Sequence, residues 1–135
     1  EERDHLVPLS RQAVETIKVL RQLTGDSPYV FPNSRRFHRP MSENALSYML
    51  NRAGYFSRHV PHGWRATFST IMNQRRRGDG DVIELMLAHV KRDKVRAAYD
   101  RAAHMELRRV IAQEWADALM EGLPPPSSLL LGRRK

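Results

Sequence analysis

Along most of this chain apolar residues recur three and four positions apart, the period of a helix that turns one face inward. The first such stretch carries Ala13, Val14, Ile17 and Leu20; Ser10 precedes it as a cap and Gly25 follows it. A second begins at Ser42, places Leu46, Met49, Leu50 and Ala53 inward, and stops at Gly54. A third begins near Pro61, a residue tolerated at the first helical position, and runs through Phe68, Ile71 and Met72 to Arg77, with Gly78 behind it. Asp81 followed by Glu84 has the form of a capping box, with Asp in place of Ser or Thr, and the helix it opens buries Val82, Ile83, Met86 and Leu87. A short helix is predicted over residues 93–102. A long one is predicted over 104–121, with Leu107, Ile111, Trp115, Ala118 and Leu119 on one stripe.

Two pieces read as extended: residues 5–9, with Leu6, Val7 and Leu9 apolar, and Tyr29-Val30-Phe31 between two prolines. The pattern thus predicts a mainly α fold with a small β element. The strand at 5–9 has no hairpin partner before it, as if the chain started inside a fold. Gly122 and Pro124-Pro125-Pro126 end the last helix. With no internal repeat and no linker, the expected organisation is one domain over residues 1–122 and a loose tail over 123–135.

A length of 135 residues fits one ordinary domain. The absence of cysteine excludes a disulfide scaffold, a Cys-ligated zinc site and a thiol nucleophile. The longest unbroken apolar run, residues 85–88, is too short to span a bilayer, and Glu1-Glu2-Arg3-Asp4 does not read as a signal peptide. Lys plus Arg is 23 against 15 acidic residues, a formal charge of +8, and nineteen of the 23 are arginine. Arg grips phosphate with a planar fork of donors, so the balance points to nucleic acid; an Arg-rich solvated surface explains the charge equally well.

His62 and Arg65, at i and i+3 near a helix start, face the same side and fit a phosphate clamp. The spacing alone says little: about 0.8 such His–Arg pairs are expected by chance, and the chain has two, the other being His89 and Arg92. His89 ends a helix, where a positive charge is welcome whatever its role. Tyr99 falls one turn after Val95, as a half-buried core tyrosine would. Basic clusters occur at Arg35/Arg36/Arg39, at Arg75/Arg76/Arg77 and at Lys91/Arg92/Lys94/Arg96; they track a DNA backbone or form separate solvated patches. His59 and His62 without nearby carboxylates make a poor metal site. A Gly-rich phosphate loop and a hydrolytic carboxylate pair are both missing.

Order and wording together narrow these alternatives. Leu6-Val7-Pro8-Leu9-Ser10, a helix, and Tyr29-Val30-Phe31-Pro32 come first. Pro61-His62-Gly63-Trp64-Arg65-Ala66-Thr67-Phe68, Leu87-Ala88-His89 and Tyr99 then follow. This series, from about residue 3 to about residue 118, resembles the catalytic domain of tyrosine recombinases, specifically the phage-type integrases of prophages and genomic islands. The resemblance implies the partial catalytic-domain fold of that family and site-specific DNA recombination through a 3′-phosphotyrosyl intermediate. It implies Tyr99 as nucleophile, His62 and Arg65 as the His-x-x-Arg pair, and His89 at the family's His/Trp position.

The resemblance also implies that no cofactor and no metal takes part. Implied partners are double-stranded DNA attachment sites, further copies of the protein in a tetramer on DNA, and accessory DNA-bending proteins, with no membrane. The implied location is the bacterial cytoplasm at the nucleoid. The family's upstream Arg and hairpin Lys find no match: Arg3 falls where residues after that Lys would lie, and Lys18 sits in a helix. The chain is therefore expected to be an incomplete part of the enzyme, inactive alone. The reading from another class is a non-catalytic helical DNA-binding module, with residues 81–102 as a helix-turn-helix.

Overall fold

The computed structural model describes residues 6–88 and 104–131. Five α-helices lie in them: α1 at Arg11–Thr24, α2 at Ala45–Leu50, α3 at Gly63–Arg75, α4 at Gly80–Met86 and α5 at Met105–Met120. A π-helical turn, Asn51–Tyr55, continues α2, and a 3-10 helix, Pro126–Leu131, lies in the segment expected to trail loosely. Among the described residues the β structure is one isolated antiparallel bridge, Pro32 to Pro40. The fold is mainly α. The helix predicted at 93–102 lies outside the described residues.

The chain divides into two units, one of Glu1–Arg11 and Arg65–Gly122, the other of Gln12–Trp64 and Leu123–Lys135. The first holds the apolar core. Phe68 and Met72 come from α3, Val82 and Ile83 from α4, Leu87 from the end of α4, and Ile111 from α5; Met86, Leu107 and Trp115 pack around them. Phe68 and Trp115 meet edge to face, ring centres 5.5 Å apart at 78°. The helical spacing of the apolar positions accounts for this arrangement: 68 and 72 share a face of α3, and 107, 111 and 115 share a face of α5. Leu119, expected on that stripe, is exposed.

Residues 5–9 were expected to form a strand, but those described, 6–9, belong to none. A strand requires a ladder of backbone partners, and here the Leu6 carbonyl and, just beyond, Arg11 meet side chains of α5. The Arg108 guanidinium donates to the Leu6 carbonyl, and the Arg11 N–H donates to Gln113 Oε1 at 2.9 Å. The guanidinium of Arg11 lies 3.7 Å from Asp117.

The capping box expected at Asp81 and Glu84 is also absent. The N-cap of α4 is Asp79, whose side chain makes no cap hydrogen bond. Its carboxylate is drawn instead to Arg76, 3.0 Å away, while its carbonyl accepts the N–H groups of Val82 and Ile83. Asp81 sits in the first turn, where a negative charge suits the helix dipole.

In the second unit Val19 and Pro126 are the buried residues among those described. The face expected of α2 does not close over a core: Leu46, Met49 and Ala53 are exposed, and Leu50 is half-buried. For Ala53 the reason lies in the winding. Ser42 to Asn44 form a turn, so the helix starts at Ala45. It then widens into the π turn, which rotates Ala53 off the 3.6-residue stripe begun in α2. Gly54 ends the turn at φ 89°, a left-handed value suited to glycine. The loop at 33–40 is held by its own backbone: the Asn33 N–H donates to the Arg39 carbonyl at 2.8 Å, and Asn33 Oδ1 accepts from the N–H groups of Arg35 and Arg36.

Ile111 is fully withdrawn from water at the junction of α3, α4 and α5. Ile111→Ala is expected to lower the unfolding free energy by about 2–5 kcal/mol, read from the shift of the urea midpoint at unchanged slope.

Candidate catalytic site

Arg65 stands in the first turn of α3, exposed at the end of the same helical face that carries Phe68 and Met72 three and seven residues on. Its guanidinium reaches across to α4 and donates from Nη2 to the Leu87 carbonyl. That carbonyl belongs to the last turn of α4, where the helix leaves acceptors without intrahelical donors and carries partial negative charge. The next residue, Ala88, takes a left-handed φ of 57°, and its N–H returns to the Leu85 carbonyl at 3.0 Å. An alanine at that angle costs about 1–2 kcal/mol, so the turn out of α4 is set by its surroundings. Arg65 thus fixes the end of α4 one residue before the turn that leads to His89. His89 and Tyr99 themselves lie outside the described residues.

His62 is exposed. The helix expected from Pro61 begins two residues later, because Pro61 and His62 form a turn: the Gly63 N–H donates to the Val60 carbonyl at 2.9 Å, and that of Trp64 to Pro61 at 3.3 Å. Three residues earlier, His59 is half-buried, its ring 5.6 Å from that of Trp64. A Cβ on Gly63 would come within 3.2 Å of His59 Cε1, so the glycine lets the ring lie against the helix start. His59 Nε2 is buried without a hydrogen-bond partner. Among the described residues no three His, Asp or Glu side chains gather as a metal site would require.

The basic clusters separate once folded. Arg35, Arg36 and Arg39 are exposed on their loop, as are Arg75 and Arg77 at the end of α3. Arg76, between them, is turned into the protein. Its Nε lies 2.6 Å from Glu114 and its Nη1 3.0 Å from Asp79. The hydrogen bond to Glu114, and then that to Asp79, raise its pKa above the ordinary arginine value. The cluster at residues 91–96 lies outside the described residues.

Two polar features were not anticipated. The Leu87 carbonyl is a backbone group, and no side-chain motif announces it. Arg108 is only 2 % exposed, and burial lowers its pKa. Its position gave a signal: 108, 111 and 115 share a helical face, so the stripe through Ile111 and Trp115 places Arg108 inward.

A profile of the phage integrase family matches residues 1–106, a stretch that contains His62, Arg65, His89 and Tyr99. The chain is 44% identical over 117 residues to prophage integrase IntZ of Escherichia coli (strain K12), covering 87% of this chain and 29% of that protein. Prophage integrase IntA of the same strain is 39% identical over 118 residues, covering 85% of this chain and 28% of the relative. The integrase of Shigella phage Sf6 is 37% identical over 118 residues, covering 87% and 30%. The chain therefore spans less than a third of the length of these curated relatives. No solved structure matches it.

Proposed function

Because the chain belongs to the phage integrase family, we propose that it is part of the catalytic domain of a tyrosine-type site-specific DNA recombinase, with Tyr99 as nucleophile and Arg65, His62 and His89 around the scissile phosphate. The observation that carries this reading is the family match over residues 1–106, which takes in all four side chains. The docking of Arg65 on the Leu87 carbonyl supports it, since a guanidinium held at one edge is oriented before substrate arrives.

The chemistry follows from the residue types. A phosphodiester repels an incoming oxyanion, so cations must surround the phosphate. Arg65 supplies parallel N–H donors to the non-bridging oxygens, and these bonds strengthen as charge builds in the transition state. His89 donates a further bond. His62 either holds the phosphate or takes the tyrosine proton. The Tyr99 oxygen attacks phosphorus and the bond to the 5′ oxygen breaks, leaving a 3′-phosphotyrosyl link and, once that oxygen is protonated, a free 5′ hydroxyl. The link conserves the bond energy, so religation proceeds without ATP.

The substrate is double-stranded DNA at attachment sites, and recombination between two duplexes calls for a tetramer of the full-length protein with accessory DNA-bending proteins. No helix of the described residues is long and apolar enough to cross a membrane. The place of action in this reading is bacterial DNA in the cytoplasm.

In the full-length protein, Tyr99→Phe removes only the attacking oxygen. Covalent adduct on a nicked suicide substrate is expected to vanish while DNA binding persists; adduct formed by the Phe variant would show that Tyr99 is not the nucleophile. Arg65→Lys keeps the charge and loses the fork. Single-turnover cleavage is expected to fall about a hundredfold or more, and near-normal cleavage would remove Arg65 from the site.

A further inference from the structure

At the end of α4 one residue belongs both to the core and to the neighbourhood of Arg65. The Leu87 side chain is buried with Phe68, Val82 and Ile111, which fixes where its backbone lies. Its N–H donates to the Ile83 carbonyl at 3.2 Å, and its own carbonyl accepts from Arg65, 22 residues away in sequence. Ala88 then takes a left-handed φ of 57°, its N–H on the Leu85 carbonyl. That value is rare for a residue with a Cβ, and alanine has no polar side chain to offset it with a local hydrogen bond. Such a conformation persists where the surroundings hold it. Ala88 is exposed, so packing around its own methyl group does not supply the hold. Leu87 does, seated in the core on one side and bound through its carbonyl to Arg65 on the other.

The backbone angles show how the carbonyl comes free. Leu87 sits at φ −83° and ψ 2°, and a ψ well above the helical value of about −42° tilts its carbonyl off the helix axis. The left-handed residue behind it stops the helical ladder, which leaves that carbonyl for a donor from outside the helix. Arg65 is such a donor. We propose that Ala88 is a positioning residue, whose left-handed turn presents the Leu87 carbonyl to Arg65 and so holds the guanidinium in the orientation that grips the scissile phosphate. The proposal rests on the reading of Arg65 as a phosphate ligand given above. A guanidinium carries five N–H donors in a rigid plane, so one bond to a fixed carbonyl limits where the others point. A displacement of about 1 Å at a reacting centre costs up to about a hundredfold in rate. Disturbing an exposed turn should therefore affect chemistry more than folding.

The test uses the full-length protein, with three readouts: melting temperature, DNA affinity, and the single-turnover rate of covalent adduct formation at saturating nicked DNA. Asn tolerates a left-handed φ; Thr is close to it in size and polarity but is β-branched and resists that angle. Pro cannot take a positive φ and has no N–H to give to Leu85. Ala88→Asn is expected to keep the rate within about twofold, while Ala88→Thr and Ala88→Pro lower it about tenfold or more. In an Arg65→Ala background, where no guanidinium is left to orient, Ala88→Thr is expected to cost no more than about a further twofold. Val19→Ala, a buried side chain of the other unit, shows how the rate responds to lost stability alone. If Ala88→Pro fails to fold, the comparison of Asn with Thr decides.

Equal rates for Ala88→Asn and Ala88→Thr overturn the proposal. So does a rate loss that follows melting temperature as it does in Val19→Ala. A full tenfold loss from Ala88→Thr in the Arg65→Ala background also overturns it, because the turn would then act through some group other than Arg65. Arg65→Ala by itself separates the two levels. If it cleaves normally, the reading of Arg65 fails and the positioning role fails with it. If it loses about a hundredfold or more while Ala88→Thr cleaves normally, only the positioning role fails.

Discussion

Met72, Ile83 and Ile111 meet where α3, α4 and α5 come together, and all three are fully withdrawn from water. The Arg65 side of the molecule depends on that junction. Each helix contributes only a few apolar positions, and none is long enough to be stable in water on its own. Burial of these side chains supplies the driving force, and the edge-to-face contact of Phe68 with Trp115 adds shape to it. With the junction in place, the N-terminal turn of α3 lies within reach of the C-terminal end of α4, and Arg65 can find the Leu87 carbonyl.

Around the junction, charged side chains do what apolar contact cannot: they specify direction. Arg65 joins the start of α3 to the end of α4, and Arg76 joins the end of α3 to the start of α4 and to α5. Arg108 joins α5 to the backbone at Leu6. Two of these arginines, Arg76 and Arg108, are turned inward, so the net charge overstates the surface available to a polyanion. Arg108 is the costliest of them. It is buried with a backbone carbonyl as partner and with Nε unpaired, and desolvation lowers its pKa.

The unit containing α1 and α2 is built differently. Val19 and Pro126 are its buried residues among those described, and much of its order comes from backbone turns such as that around Asn33. Its aromatic and aliphatic side chains, including Tyr48, Phe56 and Val60, remain largely exposed. A helix that widens into a π turn and breaks at a left-handed glycine does not present one continuous apolar face.

By itself the sequence determined the helical character of the chain, because apolar residues at a 3.6 period have one good way to leave water. It placed Phe68, Met72, Val82, Ile83, Leu87 and Ile111 inward, and they are the core. The wording around His62 and Arg65 pointed to the family whose profile matches. Tertiary structure decided what depends on a partner distant in sequence. Within the strand expected at 5–9, the Leu6 carbonyl found a side chain of α5. Asp79 took the cap position of α4 and gave its carboxylate to Arg76, whose orientation Glu114 shares in setting. The buried arginine at 108 and the exposed leucine at 119 follow from which stretch of α5 meets the junction. Periodicity assigns a residue to a face of its own helix; only the packed neighbour decides whether that face, at that height, meets water, a carbonyl or another side chain.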